Sequence, residues 1–460
     1  MICFNGGAVG VLRRLTCTMI VSEILTKTYI GGEIQRTQCV RFDSFSQLHF
    51  YRPTPRPQAL VEVASIYQRY MVPECPWIFG QLILFRLPDE EALISSLSPR
   101  GKKDAVRSAA ALLQKGLRFS SGRVRFQTDE ARMLYTKLQQ AGCVEHVPGK
   151  LPFTRVVPVG DEAGYLSDSA QDDTLRVNAS FFLLDPFDCA SRYDVAGTPF
   201  GLAVEDGQVL FPPLYEREAL MVYRDGRVAV ERPSLRDLVI RVGKTEIRIG
   251  QNAELYTRPD YRSTPRGAGY DTVIVGDQVV DVQRGTCEVP TSGFVLRTAC
   301  QIASPGDCVS YRGMEDVLFA VQAGNSLVRD GRMTEGFTSS FYNIYRPWNT
   351  PYPPSLYPLD YARAHAPRIG IGADADGKPM LLWAEGSPKL GYQVGRDSHG
   401  ASLSEFASIC AEAGMVNGVN LDGGGSAQIL LQGKRALKIS DRSDDGLERE
   451  RSIPLGLVIR

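Results

Sequence analysis

No Cys-x-x-Cys pair occurs among the ten cysteines, at positions 3, 17, 39, 75, 143, 189, 287, 300, 308 and 410. A zinc knuckle or a thioredoxin-like motif therefore has no support. The scattered thiols, several on apolar helix faces as at Cys410, read as reduced and mostly buried in a reducing compartment. Histidine is scarce. His49, His146, His365 and His399 are four in 460 residues, too few and too dispersed in the chain to argue for a metal cluster. No metal and no other cofactor is expected. Neither charge is in excess: 52 Lys and Arg balance 52 Asp and Glu. No global field then points toward nucleic acid or an anionic membrane. No apolar run reaches the ~18 residues of a membrane span. The apolar N-terminal stretch carries Arg13-Arg14 in its middle rather than ahead of it, which argues against a signal peptide and for a cytoplasmic protein. Met19 is a candidate alternative start.

Glycine (44) and proline (28) are plentiful, as in a chain of short strands and turns. The length suits two or three domains. Residues 1–148 read as a small αβ domain of unassigned role. Apolar spacing predicts a helix over Gln58 to Tyr70, a strand over Ile78 to Leu87, and helices after Asp89, over Lys103 to Lys115, and after Thr128. Arg100, Lys102, Lys103 and Arg107 form a basic patch that reads first as a solvated helix face. After a linker at 143–152, residues 149–460 change to alternating strands with Asp-Gly turns. Hairpins are predicted over 201–210, 219–230 and 271–282. Ser402 and Glu405 form a capping box for a helix stopped at Gly414. Residues 341–367 are rich in Pro and Tyr and read as a long loop, functional or disordered, whose rings at Tyr342, Tyr345, Trp348, Tyr352 and Tyr357 are either a sugar-stacking wall or plain packing.

The chemistry concentrates in Val419 to Leu431, VNLDGGGSAQILL. Asp422 ends a buried strand, Gly423, Gly424 and Gly425 follow, and Ser426 leads into Ile429 to Leu431. Three adjacent glycines are unfavourable inside a strand pattern unless the backbone needs special angles or close approach. Their amides can also line an anion nest. No Lys-Ser or Lys-Thr follows, which removes a Walker loop. Gln428 stands where a dinucleotide fingerprint needs glycine, and a strand rather than a helix comes next. A tight hairpin with an Asp cap is the plain structural alternative. Asn178, inside the apolar strand Leu175 to Leu184, must find hydrogen-bond partners or face a cavity. Asn178-Ala179-Ser180 fits a glycosylation acceptor, which a non-secreted chain would not use.

In order and spacing, VNASFF (177–182), GTPFGLAVEDGQV (197–209), FAVQAGNSLVRDGR (319–332), PRIGIGADADGKPMLLWAEG (367–386), GASLSEFASICAEAG (400–414) and VNLDGGGSAQ (419–428) resemble the phosphodiester glycosidase family. The resemblance covers about two thirds of the chain, from about Phe153 to the closing strand at 451–457. It implies an α+β catalytic domain of mixed β-sheets with a few flanking helices, acting on a small-molecule or glycan substrate. It implies Asp422 as the principal carboxylate and Glu385 as the second acid, with Arg368 holding phosphate. Gly423, Gly424, Gly425 and Ser426 would donate hydrogen bonds, while Asn178 and Asn420 would bind sugar hydroxyls or orient Asp422. The family commonly has Asn-Gly-Gly-Phe-Phe where this chain has Asn178-Ala179-Ser180-Phe181-Phe182, and Asp-Gly-Arg where it has Glu385-Gly386-Ser387. Two alternatives accompany these departures: a non-catalytic glycan- or glycophosphate-binding protein, and a glycosidase acting on phosphate-free polysaccharide.

Overall fold

The run Met380 to Ala384 is apolar throughout because both faces of its strand are covered. The computed structural model describes residues 20–459 except 30, 55–79, 121–122, 150–154, 159–162, 170–174, 185–188, 190, 216, 259, 336, 338–361, 388–391 and 443–446. In it, strand Pro379–Ala384 lies inside a seven-stranded antiparallel sheet. Across this sheet run Ile20–Thr28, Ile34–Arg41, Pro379–Ala384, Arg368–Ala373, Asn417–Asn420, Ser326–Arg329 and Arg332–Met333. Alternate residues point to opposite faces. Leu381 and Trp383 join Ile369, Ile371 and Val419 in a core shared with a second sheet. Met380, Leu382 and Ala384 pack under helix Leu403–Glu412, against Phe406, Ala407 and Cys410. Each such large apolar side chain contributes about 1.5–3 kcal/mol. Gly370 lets the helix approach, since a Cβ there would lie 2.7 Å from Leu327 Cδ1 and 3.2 Å from Phe406 Cε1.

That helix begins at the capping box read from sequence. Glu405 N donates to Ser402 Oγ (3.3 Å) and Ser402 N donates to Glu405 Oε2 (2.8 Å). Such a cap contributes about 1 kcal/mol. Gly414, at φ +92°, ends it.

The second sheet orders Leu48–Tyr51, Gly456–Ile459, Leu175–Asn178, Ile429–Leu431 and Lys434–Arg435, all antiparallel. The three predicted hairpins form. The turn of the first holds Asp206 and Gly207 at φ +49° and +80°, as a two-residue hairpin loop requires. Helices Glu91–Leu97, Lys102–Gly116 and Asp129–Gln140 share a core with strand Gly80–Phe85, which pairs antiparallel with Val144–Gly149 and parallel with Arg155–Pro158. The class is therefore α+β, with mixed sheets and few helices.

Strand pairing crosses the boundary expected near residue 148. Ile34–Arg41 pairs with Pro379–Ala384, and Leu48–Tyr51 pairs with Gly456–Ile459, so N-terminal strands belong to both sheets. Periodicity identifies a strand but not a partner more than three hundred residues away. The helix expected over Gln58 to Tyr70 and the aromatic residues of 341–361 lie outside the described residues. The basic patch is not simply solvated. Lys102, Lys103 and Arg107, with Arg52, line a cavity of about 570 Å³ bounded by Phe211 and Gln278. Arg107 Nη1 donates to Gln278 Oε1 (3.1 Å), which ties helix Lys102–Gly116 to the hairpin at 271–282.

Candidate functional site

The Asp422 loop is where the chain leaves one sheet for the other. Asn420 pairs with Gly370 in the first sheet, and Ile429 pairs with Val177 in the second. Leu421 N still donates to Ile369 O (2.8 Å), whereas Asp422 N donates to Ala179 O (3.2 Å). Asp422 is thus the residue at which the backbone changes partners. Each glycine after it answers a different demand. A Cβ on Gly423 would lie 2.8 Å from Pro367 O. Gly424 has φ +59° and opens a single 3-10 turn, Gly424–Ser426. A Cβ on Gly425 would strike the Arg451 guanidinium and the Asp441 carboxylate. The loop is not a simple anion nest: Gly424 N donates to Pro367 O (2.9 Å), and the Gly423 amide hydrogen-bonds the Asp422 carboxylate.

Asn178 holds this loop rather than reaching outward. Its Nδ2 donates to Asp422 O (2.7 Å) and its Oδ1 accepts from Gln428 N (2.9 Å), so one amide grips both ends of the glycine turn. It is 1% exposed, which also closes the glycosylation reading. Asn178→Ala strands two buried backbone groups, each at a penalty of about 1–3 kcal/mol. Chemical denaturation is expected to register a loss of about 2–4 kcal/mol; an unchanged midpoint would show that the loop does not depend on this clamp. Asn420 is fully buried, with Nδ2 donating to Leu421 O (2.6 Å).

Asp422 is only 9% exposed. Burial pushes its pKa up from 3.8 to about 7, against the pull of the Ser426 hydroxyl, the Arg451 guanidinium, the Gly423 amide and the Arg368 guanidinium. Desolvation wins over two nearby cations. The carboxyl group therefore exchanges its proton near neutrality while facing positive charge.

Arg368 (3% exposed) is anchored by Nε donating to Ala401 O (3.0 Å) and Nη2 donating to Ala364 O (2.8 Å). Its Nη1 points along Gly423, 3.9 Å from where a Cβ would stand. Ser426 is buried, and its Oγ accepts from Arg451 Nη1 (3.1 Å). Glu385 is engaged elsewhere, its Oε1 3.3 Å from Arg36 Nη1 on strand Ile34–Arg41. It follows Ala384, the cross-strand partner of Arg368. Asp422, Arg368, Asn178, Asn420, the glycines and Ser426 thus gather at the sheet switch, with Glu385 next to the neighbouring strand end.

Arg451 and Asp441 were not singled out from sequence. Arg451 Nε and Nη2 donate to Asp441 Oδ2 (2.9 and 2.7 Å), so a chain runs from Asp441 through Arg451 and Ser426 to Asp422. The one available signal was an arginine at the head of an otherwise apolar closing segment. Ser180, beside Ala179, is buried, and its hydroxyl finds no partner among the described residues.

A family model described as phosphodiester glycosidase matches residues 193–460, more than half of the chain. The mouse N-acetylglucosamine-1-phosphodiester alpha-N-acetylglucosaminidase is 34% identical over 82 residues, which is 18% of this chain and 14% of that enzyme's length. Among solved structures, a hypothetical protein from Synechocystis aligns over 95% of this chain and 61% of its own, at 15% identity and TM-score 0.40. The catalytic domain of the zebrafish N-acetylglucosamine-1-phosphodiester alpha-N-acetylglucosaminidase, auto-inhibited by its pro-peptide, aligns over 96% of this chain and 82% of its own, at 12% identity and TM-score 0.37.

Proposed function

Since the chain belongs to the phosphodiester glycosidase family, we propose that it hydrolyses the bond between the anomeric carbon and the phosphate oxygen of a sugar-1-phosphodiester. The observation that carries this reading is one buried carboxylate, Asp422, on the sheet-switch loop, which feels the charge of two guanidiniums, Arg451 and Arg368, and has its pKa raised by burial to about 7. Cleavage at the anomeric carbon builds positive charge on the sugar and releases a phosphate that is already a weak base. Positive charge near the leaving oxygens then matters more than a proton donor. Arg368 supplies it, and a planar guanidinium suits phosphate oxygens. The ionised Asp422 is poorly solvated at rest. An oxocarbenium-like sugar next to it gives the charge a partner, so the interaction strengthens as the transition state forms. Glu385 is the second carboxylate of the proposal.

A leaving group that needs no proton leaves one essential ionisation, that of Asp422. The plot of log kcat/KM is then expected to climb with unit slope below about pH 7 and to level off above it. Steady-state assays on a panel pairing sugar-1-phosphodiesters with plain glycosides of the same sugars test both parts. Turnover of the diesters alone, with that single acidic limb, supports the proposal. Preference for the plain glycosides, or binding without turnover, rejects it.

A further inference from the structure

Two of the four histidines, far apart in the chain, meet beyond Arg368. His365 precedes strand Arg368–Ala373, and His399 sits in the segment that returns beside it. The two segments are stitched by Ala366 and Ala401, each donating its amide to the other's carbonyl (3.3 and 3.0 Å). Glu405 rises from the first turn of helix Leu403–Glu412. One ligand atom from each of His365, His399 and Glu405 lies within 4.8 Å of the others. The imidazole rings meet edge to face, with centroids 4.7 Å apart.

We propose that His365, His399 and Glu405 form a binding site for a divalent transition metal ion of the zinc class. Two details favour metal over a plain ion pair. First, His399 Nδ1 lies 2.8 Å from Ile34 O, so that nitrogen carries the proton and Nε2 keeps its lone pair. Metal-binding histidines are commonly oriented by such a carbonyl. Second, Glu405 Oε2 already accepts from Ser402 N (2.8 Å) and Ser402 Oγ (2.9 Å), which fixes the carboxylate before any ion arrives. In the empty site His365 Nε2 lies 2.8 Å from Glu405 Oε2, as a donor to the carboxylate, so a bound ion would take the place of that proton. The edge of a tetrahedron with zinc–ligand bonds of ~2.05 Å is about 3.3 Å, so the three atoms, within 4.8 Å of one another, would draw together around an ion. Two imidazoles and one carboxylate complete three positions. His365 is exposed, which leaves the fourth to solvent or to an incoming oxygen. The carbonyls that hold Arg368 belong to Ala364 and Ala401, in these same two segments. A bound ion would therefore brace the support of Arg368.

The site stands independently of the catalytic proposal, and its test reads binding. The full chain, stripped with chelator, is titrated with zinc against a chromophoric competitor, beside H365A/H399A and Glu405→Gln. Glutamine can keep the capping box, so the second variant retains the helix start. Wild type is expected to take up one equivalent that both variants bind at least about 100-fold more weakly. Cobalt in that site is expected to give a spectrum without thiolate charge transfer. Equal zinc affinity in all three proteins, or thiolate bands in the cobalt spectrum, would overturn the assignment.

Discussion

Asp422→Asn is expected to lower kcat on a sugar-1-phosphodiester by about 10³-fold or more, the scale lost with an essential acid–base or charged group, while leaving the protein at least as stable as wild type at pH 8. The two halves share one cause. Burial raises the Asp422 pKa from 3.8 to about 7, so the folded state holds this proton more tightly than the unfolded state does. The stability from the protonated form is fully present below pH 3.8 and is lost as pH rises through about 7. The full loss is roughly 4 kcal/mol on the alkaline side. Asparagine has no such charge to desolvate. The melting temperature of the variant minus that of wild type should therefore grow between pH 5 and pH 8. Taking the difference cancels the other carboxylates. A variant that melts well below wild type at pH 8 would mean that the ionised carboxylate supports the fold instead of straining it.

Arg451→Met is expected to lower stability by about 3–5 kcal/mol, the range for breaking one half of a buried ion pair. The Arg451 and Asp441 side chains are 8% and 13% exposed, so the abandoned Asp441 carboxylate has little access to water. Arg451 is also one of the two cations opposing the rise in the Asp422 pKa. Its removal should push that pKa further up and move the acidic limb of kcat/KM to higher pH. Asp441→Asn combined with Arg451→Met separates the effects. Stability should largely return, because neither charge is left alone, while the shifted pH limb should remain. If the double variant restores the wild-type limb, Arg451 acts on the site through the fold alone.

The contrast between Asp422 and Arg451 shows what local sequence carries. Three consecutive glycines interrupt a strand pattern that nothing nearby requires, and the structure gives each a steric reason: the Pro367 carbonyl, a positive φ, and the Arg451–Asp441 pair. The helix behind the site was equally legible, since Ser402, Glu405 and Gly414 are local signals of its ends. Long-range pairing was not. Ile34–Arg41 reads as a strand, but its partner is Pro379–Ala384, and no periodicity encodes that choice. Glu385 could be read as the end of a strand; its engagement with Arg36 follows from the same invisible pairing. Asn178 was legible as a polar residue needing partners, yet those partners lie across the sheet switch. Counting histidines along the chain also said nothing of two that fold into contact.

Which bond breaks tests the account most directly. Hydrolysis of a sugar-1-phosphodiester is run in ¹⁸O-water and the phosphomonoester product is weighed by mass spectrometry. Attack at the anomeric carbon beside Asp422 leaves every phosphate oxygen as it was, so the phosphomonoester carries no heavy label. A phosphomonoester bearing one ¹⁸O would place water attack at phosphorus and contradict the assignment of Asp422 to a cationic sugar.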